Sequence, residues 1–397
     1  MNETEVDAQW MSHALHLAAR GADARHLALL VGCVLVAPQG GHAAGELLGE
    51  GFHTRFGGPH AEREAIADAE RRGEQNRLRG ATAYVTLEPC CHFGKTPPCT
   101  QALIDCGVAR VVAAMRDPFE RVRGQGIELL QAAGLQVQVG VQEAAARELN
   151  APYIKRLQQQ RPWVIAKWAM SLDGRIATRS GHSKWISGKE SRATVQQLRG
   201  RVDAILIGSG TALADDPLLT ARTESPPPRT ALRVVADSRL STPLTSQLVH
   251  TAEHTPVLFW AGPEATAAQA EALRERGCLV HISPQQQAQR RLDDLLHTLA
   301  VEYQATNLLV EGGGNLLGSL FDLQQIDQIE VFLAPKIIGG GEALSPLLGL
   351  GCDLLEQGPR CHITQVQPSG EDTHLSGRLH WHRAEGETRC TESPAVY

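Results

Sequence analysis

The amino-acid sequence predicts an α/β protein of two domains, and three observations carry this prediction. The chain has 397 residues, which is long for one hydrophobic core and sufficient for two. Its hydrophobic residues alternate between helical and strand periods throughout, as in layered α/β folds. The polar run Gln158-Gln-Gln-Arg161-Pro162 interrupts this pattern. We therefore expect domains at 1–158 and 159–383, followed by a disordered polar tail at 384–397.

In the first domain, the hydrophobic pattern predicts alternating helices and strands. The segment 61–72 is rich in Ala, Glu and Arg, which are strong helix formers, and Pro97-Pro98 suits the start of the helix that follows. A further short helix is expected between the last two strands. The predicted helices are 8–20, 61–72, 99–106 and 142–158, and the predicted strands are 31–36, 81–87, 108–115 and 135–141.

In the second domain, the pattern restarts with strands and continues as strand and helix in alternation. The last two strands flank Pro368-Ser-Gly-Glu-Asp372 and predict a hairpin. The predicted strands are 163–168, 202–207, 232–236, 256–260, 278–282, 307–311, 329–334, 361–367 and 374–382, and the predicted helices are 189–199, 264–276, 290–300 and 314–321.

The composition narrows the class of protein. The net charge is −6 and aromatic residues make up 4%, which disfavours a nucleic-acid partner. The N-terminus has no signal-peptide pattern, and the longest apolar run, 27–37, is shorter than the ~20 residues of a membrane span. Nine cysteines without an export signal indicate reduced thiols. We therefore expect a cytoplasmic protein that does not bind membranes.

His60, Cys90 and Cys99 form a candidate metal site in the first domain. One imidazole and two thiolates favour zinc, and three protein ligands leave a fourth position for water, as in catalytic sites. The helix starts expected near His60 and Cys99 favour the thiolate form. Glu62 lies two residues after His60 and is the candidate catalytic residue. It would move protons while water, whose pKa zinc lowers to about 7, attacks an amine-bearing ring carbon.

This arrangement matches the general pattern of zinc deaminases, with one difference in spacing. Eight residues separate Cys90 from Cys99, and this insert contains Lys95 and Thr96, which suit a substrate phosphate or ring oxygen. Cys91 is a weaker alternative ligand. The other cysteines before the tail are predicted to be small core residues, namely Cys33, Cys106, Cys278, Cys352 and Cys361.

The second domain contains a candidate phosphate site. Glu311-Gly-Gly-Gly-Asn-Leu-Leu-Gly318 follows a predicted strand and opens a helix, where backbone amides approach phosphate oxygens. The segment Gly208-Ser-Gly-Thr211 offers a second approach of this kind. An anion clamp is one interpretation of Lys167, Ser183, Arg199 and Arg222, and solvated surface is the other. These residues alone indicate a dinucleotide-dependent or phosphate-binding domain.

Over residues 8–383 the sequence resembles the bifunctional riboflavin-biosynthesis deaminase/reductase family. The motifs of the first half are Gly51-Phe-His-Thr-Arg-Phe-Gly-Gly-Pro-His-Ala-Glu62 and Thr86-Leu-Glu-Pro-Cys-Cys-His-Phe-Gly-Lys-Thr-Pro-Pro-Cys99. Those of the second half begin with Lys167-Trp-Ala-Met-Ser-Leu-Asp-Gly-Arg-Ile-Ala-Thr178. They continue at 183–187, 203–208, 211–222, 310–315 and 334–336.

The resemblance implies a cytidine-deaminase-like three-layer α/β/α domain and a dihydrofolate-reductase-like α/β domain. The first would use Zn²⁺ to deaminate a diaminopyrimidinone that carries a phosphoribosylamino group, and the second would reduce the ribosyl group to ribityl with NADPH. The implied substrate contacts are Lys167, Ser183, Arg199, Leu219, Arg222 and Glu311. The implied cofactor contacts are Ala169, Trp185, Thr211, Asp215, Ser238, Gly313, Gly314 and Asn315.

One position departs from the family. Ala28 stands where the family has a substrate-contacting asparagine, so the efficiency or substrate preference of deamination is in question, whereas the reaction class is not. Two other functions remain open from the residues: a nucleic-acid or nucleoside deaminase with an accessory nucleotide-binding domain, and a sensor in which zinc is structural. Whether the chain forms a homo-oligomer is also left open.

Overall fold

Two β-sheets organise the described part of the chain, which comprises residues 2–21, 29–38, 45–55, 57–93, 97–119, 123–223 and 230–381 of the computed structural model. Each sheet belongs to its own compact unit. The first unit is built mainly from Met1–Pro162 and also takes in Leu296–Asn307. The second is built from Trp163–Thr223, Ala231–Leu295 and the chain from Leu308 onward.

The first unit contains a five-stranded sheet of order β2-β1-β3-β4-β5. β1 is antiparallel to both of its neighbours, whereas β3, β4 and β5 are parallel. Its strands are β1 (Gly32–Val36), β2 (Leu47–Phe52), β3 (Thr82–Val85), β4 (Arg110–Ala113) and β5 (Gln136–Val139). Its helices are α1 (Glu3–Arg20), α2 (Ala61–Arg71), α3 (Cys99–Asp105), α4 (Gln125–Ala132), α5 (Glu143–Leu149) and α6 (Ala151–Gln159).

Helices cover both faces of this sheet. One core contains Leu35 of β1 together with Ala65 of α2 and Leu103 of α3. The other contains Val34 of β1 together with Met11 of α1. Because the side chains of successive strand residues point to opposite faces of the sheet, neighbouring residues of β1 pack into different cores. The three-layer α/β/α arrangement that the resemblance implied is confirmed.

The structure differs from the prediction at two places in this unit. The predicted helix 142–158 is two helices, α5 and α6, because Pro152 near the start of α6 has no amide hydrogen to continue a helix. β2 was not predicted, since its glycines break the hydrophobic alternation. Those glycines let α2 approach closely: a Cβ at Gly51 would lie 2.4 Å from the backbone nitrogen of Ala65.

The second unit contains a nine-stranded sheet of order β10-β9-β8-β7-β11-β6-β12-β14-β13. Its strands are β6 (Trp163–Ser171), β7 (Ala204–Gly208), β8 (Leu232–Ala236), β9 (Val257–Ala261), β10 (Leu279–Ile282), β11 (Asn307–Glu311), β12 (Gln328–Ala334), β13 (Arg360–Ser369) and β14 (Asp372–His380). Its helices are α7 (Lys189–Arg199), α8 (Ser209–Asp215), α9 (Gln247–His250), α10 (Ala267–Arg274), α11 (Ala288–Val301, assigned to the first unit from Leu296 onward) and α12 (Gly314–Asp322).

The pairings β9–β10, β8–β9, β7–β8, β7–β11 and β6–β12 are parallel, whereas β14 is antiparallel to both β12 and β13. The predicted strands 232–236 and 307–311 and the predicted helix 189–199 are confirmed at both ends. α8 and α9 were not predicted, because both are short and α8 begins in the glycine-bearing segment 208–211. Within the described residues, no helix is long and apolar enough to cross a bilayer.

A buried ion pair attaches α1 to the first sheet. The guanidinium of Arg110 donates to both carboxylate oxygens of Asp7, at 2.7 Å each. The hydroxyl of Tyr84 donates to the same carboxylate at 2.9 Å. Asp7 is 1% exposed, so this contact fixes the helix against β3 and β4 without access to water.

Asp7→Ala should lower the free energy of unfolding of the first unit by about 3 kcal/mol, because it removes the buried bidentate partner of Arg110 and leaves that cation only the exposed carboxylate of Glu3. Tyr84→Phe should cost about 1.5 kcal/mol, since it removes one hydrogen bond to a charged group. Urea unfolding followed by hydrogen-exchange mass spectrometry of β3 and β4 peptides measures both changes. Glu46→Gln, which breaks the exposed 2.6 Å pair with Arg77, is the control and should change nothing measurable.

Candidate active sites

The predicted metal ligands of the first unit come together at the starts of two helices. His60 is the residue preceding α2, Cys99 is the first residue of α3, and Cys90 lies in the loop between β3 and α3. The Nδ1 atom of His60 lies 3.5 Å from Sγ of Cys90 and 3.3 Å from Sγ of Cys99. The three ligand atoms all lie within 4.8 Å of one another.

These distances fit a tetrahedral zinc ion. With Zn–S near 2.3 Å and Zn–N near 2.05 Å, tetrahedral angles place an N and an S ligand about 3.6 Å apart. The two measured N···S distances are within 0.3 Å of that value. The backbone amide of Cys99 also donates to Sγ of Cys90 at 3.4 Å, which orients that sulfur and favours its thiolate.

The surroundings of the two cysteines favour the thiolate form of one of them, Cys90, which is the form that binds a metal ion. The pKa of Cys90 is lowered to about 4, because hydrogen bonds from Cys99 and His60 favour its thiolate. The pKa of Cys99 is raised, because its hydrogen bond to Cys90 and its burial both favour the thiol. Zinc binding therefore displaces a proton from the cysteine pair, as metal sites built from thiols require.

Glu62 lies on the first turn of α2 with its carboxyl group inside this site. The side chain is 3% exposed, and burial raises its pKa above the ordinary value for a glutamate. The carboxyl also hydrogen-bonds the thiol of Cys99, so it lies beside the ligand cluster. A buried carboxyl group with a raised pKa is suited to accept a proton and return it near neutral pH.

Glu88, which the sequence did not single out, supports the cysteine loop. Its buried carboxylate accepts four backbone N–H groups, from Asp117, Gly124, Gly126 and Ile127, at 3.0–3.3 Å. Glu88 therefore accepts hydrogen bonds from backbone amides that would otherwise be unpaired at the start of α4. Because Glu88 lies two residues before Cys90 in the chain, these bonds hold the cysteine loop against α4. A glutamate after a strand carries no signal for such a role, because its partners are backbone groups far along the chain.

The structure also separates the remaining cysteines. Sγ of Cys91 points to Oε1 of Gln125, at 3.9 Å, and is not part of the metal-ligand group. The predicted core positions are wrong for Cys352 and Cys361, which are exposed, because their segment and strand lie at the surface of the second unit. Lys95, Thr96, Ala28 and the predicted tail 384–397 lie outside the described residues.

The glycine segment of the second unit forms an open helix start, as the sequence predicts. Gly312 and Gly313 have φ of 74° and 55°, a backbone region that favours glycine. Gly313 precedes α12 without a side-chain hydrogen bond to its amides, and Asn315 is exposed in the first turn. A Cβ at Gly313 would lie 3.3 Å from Oγ1 of Thr211, whereas Gly312 faces open space. This cradle fits a phosphate group of a dinucleotide.

A buried charge cluster lies beside that cradle. Arg199 forms a bidentate pair with Glu311, at 2.5 and 2.9 Å, and also donates to the carbonyl of Thr220 at 3.3 Å. Burial opposes ionisation of Glu311, but the Arg199 charge outweighs it and lowers the pKa. The ammonium of Lys167, whose pKa burial lowers, lies 5.9 Å from the centre of the Phe332 ring. The cluster Lys167–Arg199–Glu311 thus carries one excess positive charge, and the nearby carboxylate of Asp215 is paired with Lys184.

The predicted contact Trp185 lies on the surface of the same unit, 65% exposed, with the guanidinium of Arg192 4.6 Å from its ring centre. Nζ of Lys336 donates to the Trp185 carbonyl at 2.6 Å and fixes its backbone. The neighbouring Lys184 pairs with Asp215 at 3.4 Å, which joins this loop to the end of α8.

The remaining predicted contacts are placed as follows. Ala169 is half-buried in β6, and Ser183 is half-buried in the loop after it. Leu219 is buried with φ of 52°, so its backbone rather than its side chain is available to a ligand. Arg222 is exposed, and its amide donates to Gln196 at 2.9 Å. Ser238 follows β8 and is half-buried.

Two family models match the chain, one in each half. Residues 4–115 match the cytidine and deoxycytidylate deaminase zinc-binding region, and residues 162–375 match the RibD C-terminal domain. Together with the zinc-compatible ligand set and the phosphate cradle, these matches define the class. The protein is an enzyme that combines a zinc-dependent hydrolytic deaminase with an NADPH-dependent reductase.

Relatives match over nearly the whole chain. The riboflavin biosynthesis protein RibD of Actinobacillus pleuropneumoniae is 38% identical over 94% of this chain and 95% of its own. That of Aquifex aeolicus is 40% identical over 93% and 97%. The solved RibD structure from Acinetobacter baumannii, form 1, is 33% identical and covers 95% of this chain and 99% of its own, with a TM-score of 0.79. The chain belongs to the RibD family of bifunctional riboflavin-biosynthesis enzymes.

The purified chain should contain about one zinc ion, and Cys90→Ser or Cys99→Ser should abolish its retention on dialysis, because the two protein ligands that remain cannot hold it. Cys91→Ser is the matched control, since its thiol faces Gln125, and it should retain the metal. Elemental analysis after dialysis measures both. Loss of zinc from the Cys91 variant alone would contradict the ligand assignment.

Proposed function

We propose that the first unit deaminates 2,5-diamino-6-(5-phosphoribosylamino)pyrimidin-4-one. The observation that carries this proposal is the three-ligand cluster of His60, Cys90 and Cys99 with the Glu62 carboxyl beside it. A solved relative from Thermotoga maritima, 32% identical with a TM-score of 0.76, is described as a diaminohydroxyphosphoribosylaminopyrimidine deaminase/5-amino-6-(5-phosphoribosylamino)uracil reductase. Its description names this substrate class.

The chain's own residues divide the proton transfers. Zinc, when bound by His60, Cys90 and Cys99, supplies the Lewis acidity that makes water nucleophilic at neutral pH. Glu62 takes one proton from the attacking water and delivers it to the ring nitrogen beside the reacting carbon. It then carries the second proton to the amine, so that water is consumed, a carbonyl forms and ammonia leaves. The burial that raises the pKa of Glu62 keeps both steps within its reach.

For the second unit we propose reduction of the ribosyl group to ribityl. NADPH, when bound, supplies the hydride to the sugar C1 carbon. The excess positive charge of the Lys167–Arg199–Glu311 cluster holds the phosphorylated substrate, and the cradle around Gly313 holds the cofactor. We propose Lys167, Ser183, Arg199, Leu219, Arg222 and Glu311 as its substrate contacts, and Lys95 and Thr96 as substrate contacts of the first unit. The proposed cofactor contacts are Ala169, Trp185, Thr211, Asp215, Ser238, Gly313, Gly314 and Asn315.

The organisation of the protein follows from these roles. We propose that 1–158 is the deaminase domain and 159–383 the reductase domain, which agrees with family matches at 4–115 and 162–375. The partner is a small phosphorylated pyrimidine rather than a nucleic acid, in keeping with the net charge of −6. We also propose a cytoplasmic location, because the eight cysteines among the described residues are all free.

Incubation of the chain with the diaminopyrimidinone phosphate tests both halves. Without NADPH, mass spectrometry should find the deaminated uracil and stoichiometric ammonia. With NADPH, the ribityl product should replace it. Absence of ammonia in both incubations, with zinc present in the enzyme, would overturn the proposed substrate.

Glu62→Gln should reduce ammonia release by about 10²–10⁴-fold, because the amide cannot shuttle protons, while NADPH oxidation with the deaminated substrate is retained. Lys167→Met should retain ammonia release but slow NADPH oxidation by on the order of 10–100-fold, because it removes a charged contact to the substrate. Ammonia release and NADPH absorbance, measured on both variants, provide mutual controls. A parallel fall of both activities in either variant would mean that the two sites are not independent.

A further inference from the structure

The turn that follows β8 presents an unusual arrangement of its acidic residue. Asp237 is 1% exposed and points inward. One carboxylate oxygen accepts the hydroxyl of Ser241 at 3.0 Å, and the other accepts the amide and the hydroxyl of Thr242, both at 2.8 Å. An acidic residue near the ribose commonly accepts the 2′-hydroxyl in NAD-binding sites of α/β sheets. Here that acceptor is occupied by the protein's own donors.

Ser238, the next residue, is fixed at both its backbone and its side chain. Its carbonyl accepts the amide of Gly262 at 2.9 Å. Its Oγ atom accepts a hydrogen bond from Nη2 of Arg291 at 3.1 Å. A serine hydroxyl has one hydrogen to donate, and accepting from Arg291 leaves that hydrogen for another partner. Ser238 is thus held as a hydrogen-bond donor.

Arg291 is a buried cation that the mechanism above does not use. It is 8% exposed, and its Nη1 donates to the carbonyls of Gln285 and Gln286 at 2.9 and 2.6 Å. Its carboxylate neighbour, Glu264, lies 3.9 Å away and is 43% exposed. A Cβ at Gly262 would lie 3.1 Å from the Arg291 Cζ, so the guanidinium lies directly against that glycine.

This turn lies at the edge of the sheet where parallel strands end, which is where α/β sheets bind ligands. Ala236, the last residue of β8, pairs with Gly208 of β7, and β7 in turn pairs with β11, which leads into the glycine cradle. Two strand spacings, about 10 Å, therefore separate Ser238 from the cradle in the plane of the sheet. With a pyrophosphate in the cradle, this separation puts the adenosine ribose within reach of Ser238.

We propose that Arg291 is a positioning residue that holds Ser238 as a donor to the adenosine 2′-phosphate, and that the inward Asp237 removes the acceptor NADH would need. The inference rests on the proposed cofactor role of the second unit and names the residues that select NADPH. The charges at this turn, Asp237 and Glu264 against Arg239 and Arg291, sum to zero. The direction of the hydrogen-bond donors, and not the net charge, therefore makes the selection.

Binding of NADPH and of NADH, titrated separately by fluorescence of the reduced nicotinamide, tests the proposal on the full chain. Arg291→Met should weaken NADPH binding about 10-fold and NADH binding less than about 2-fold, because only the 2′-phosphate uses the oriented hydroxyl. Arg291→Lys should recover part of the difference. The control is Arg290→Gln, an exposed neighbour whose replacement should leave both affinities unchanged. The 2′,5′-ADP to 5′-ADP affinity ratio should change in parallel with the NADPH to NADH ratio.

Ser238→Ala is the second variant, since it keeps the buried guanidinium in place if Arg291→Met does not fold. It should also lose NADPH affinity selectively. If both variants leave the ratio of NADPH affinity to NADH affinity unchanged, Arg291 only supports the fold. A parent chain that binds neither nucleotide would instead overturn the proposed cofactor role, so the two failures are distinguishable.

Discussion

The unpaired backbone amides at the first turn of a helix govern both sites of this protein. His60 and Cys99 stand at the starts of α2 and α3, and Glu88 takes up four backbone amides, three of them around the start of α4. In the second unit, Gly313 leaves the amides of α12 without a side-chain cap. Helix starts favour thiolates, carboxylates and phosphates alike, because their dipoles and free N–H groups carry partial positive charge. The two chemistries therefore share one structural device.

The sequence allowed the metal site to be predicted because its members are chemically distinctive. An imidazole, two thiols and a nearby carboxylate have few other reasons to occur in this order, and the helices at 61 and 99 begin where their composition indicates. Glu88 was missed because its partners are backbone amides 29–39 residues away, which leave no trace in side-chain identity. The same limit applies to Arg291, whose partners are a serine and two carbonyls.

The fold was predictable wherever packing imposes a regular period. β8, β11 and α7 have the bounds that the pattern indicates, since each has one face or both faces in a core. β2 was not predicted because its glycines allow close approach of α2 and do not contribute apolar side chains to a core. The break between α5 and α6 depends on one proline. In both cases local backbone chemistry, and not hydrophobic periodicity, decides the element.

The buried cations of the two units differ in how far protein carboxylates neutralise their charge. Arg110 meets the carboxylate of Asp7 in bidentate geometry and also pairs with Glu3 of the same helix, so its charge is used in holding α1. Arg199 is likewise paired with Glu311, and its pairing leaves the charge of Lys167 in excess within their cluster. A cluster neutralised internally has little to offer a phosphate, whereas one with a single excess charge attracts it at low desolvation cost. The function of each cation therefore follows from the charge left over after its protein partners are counted.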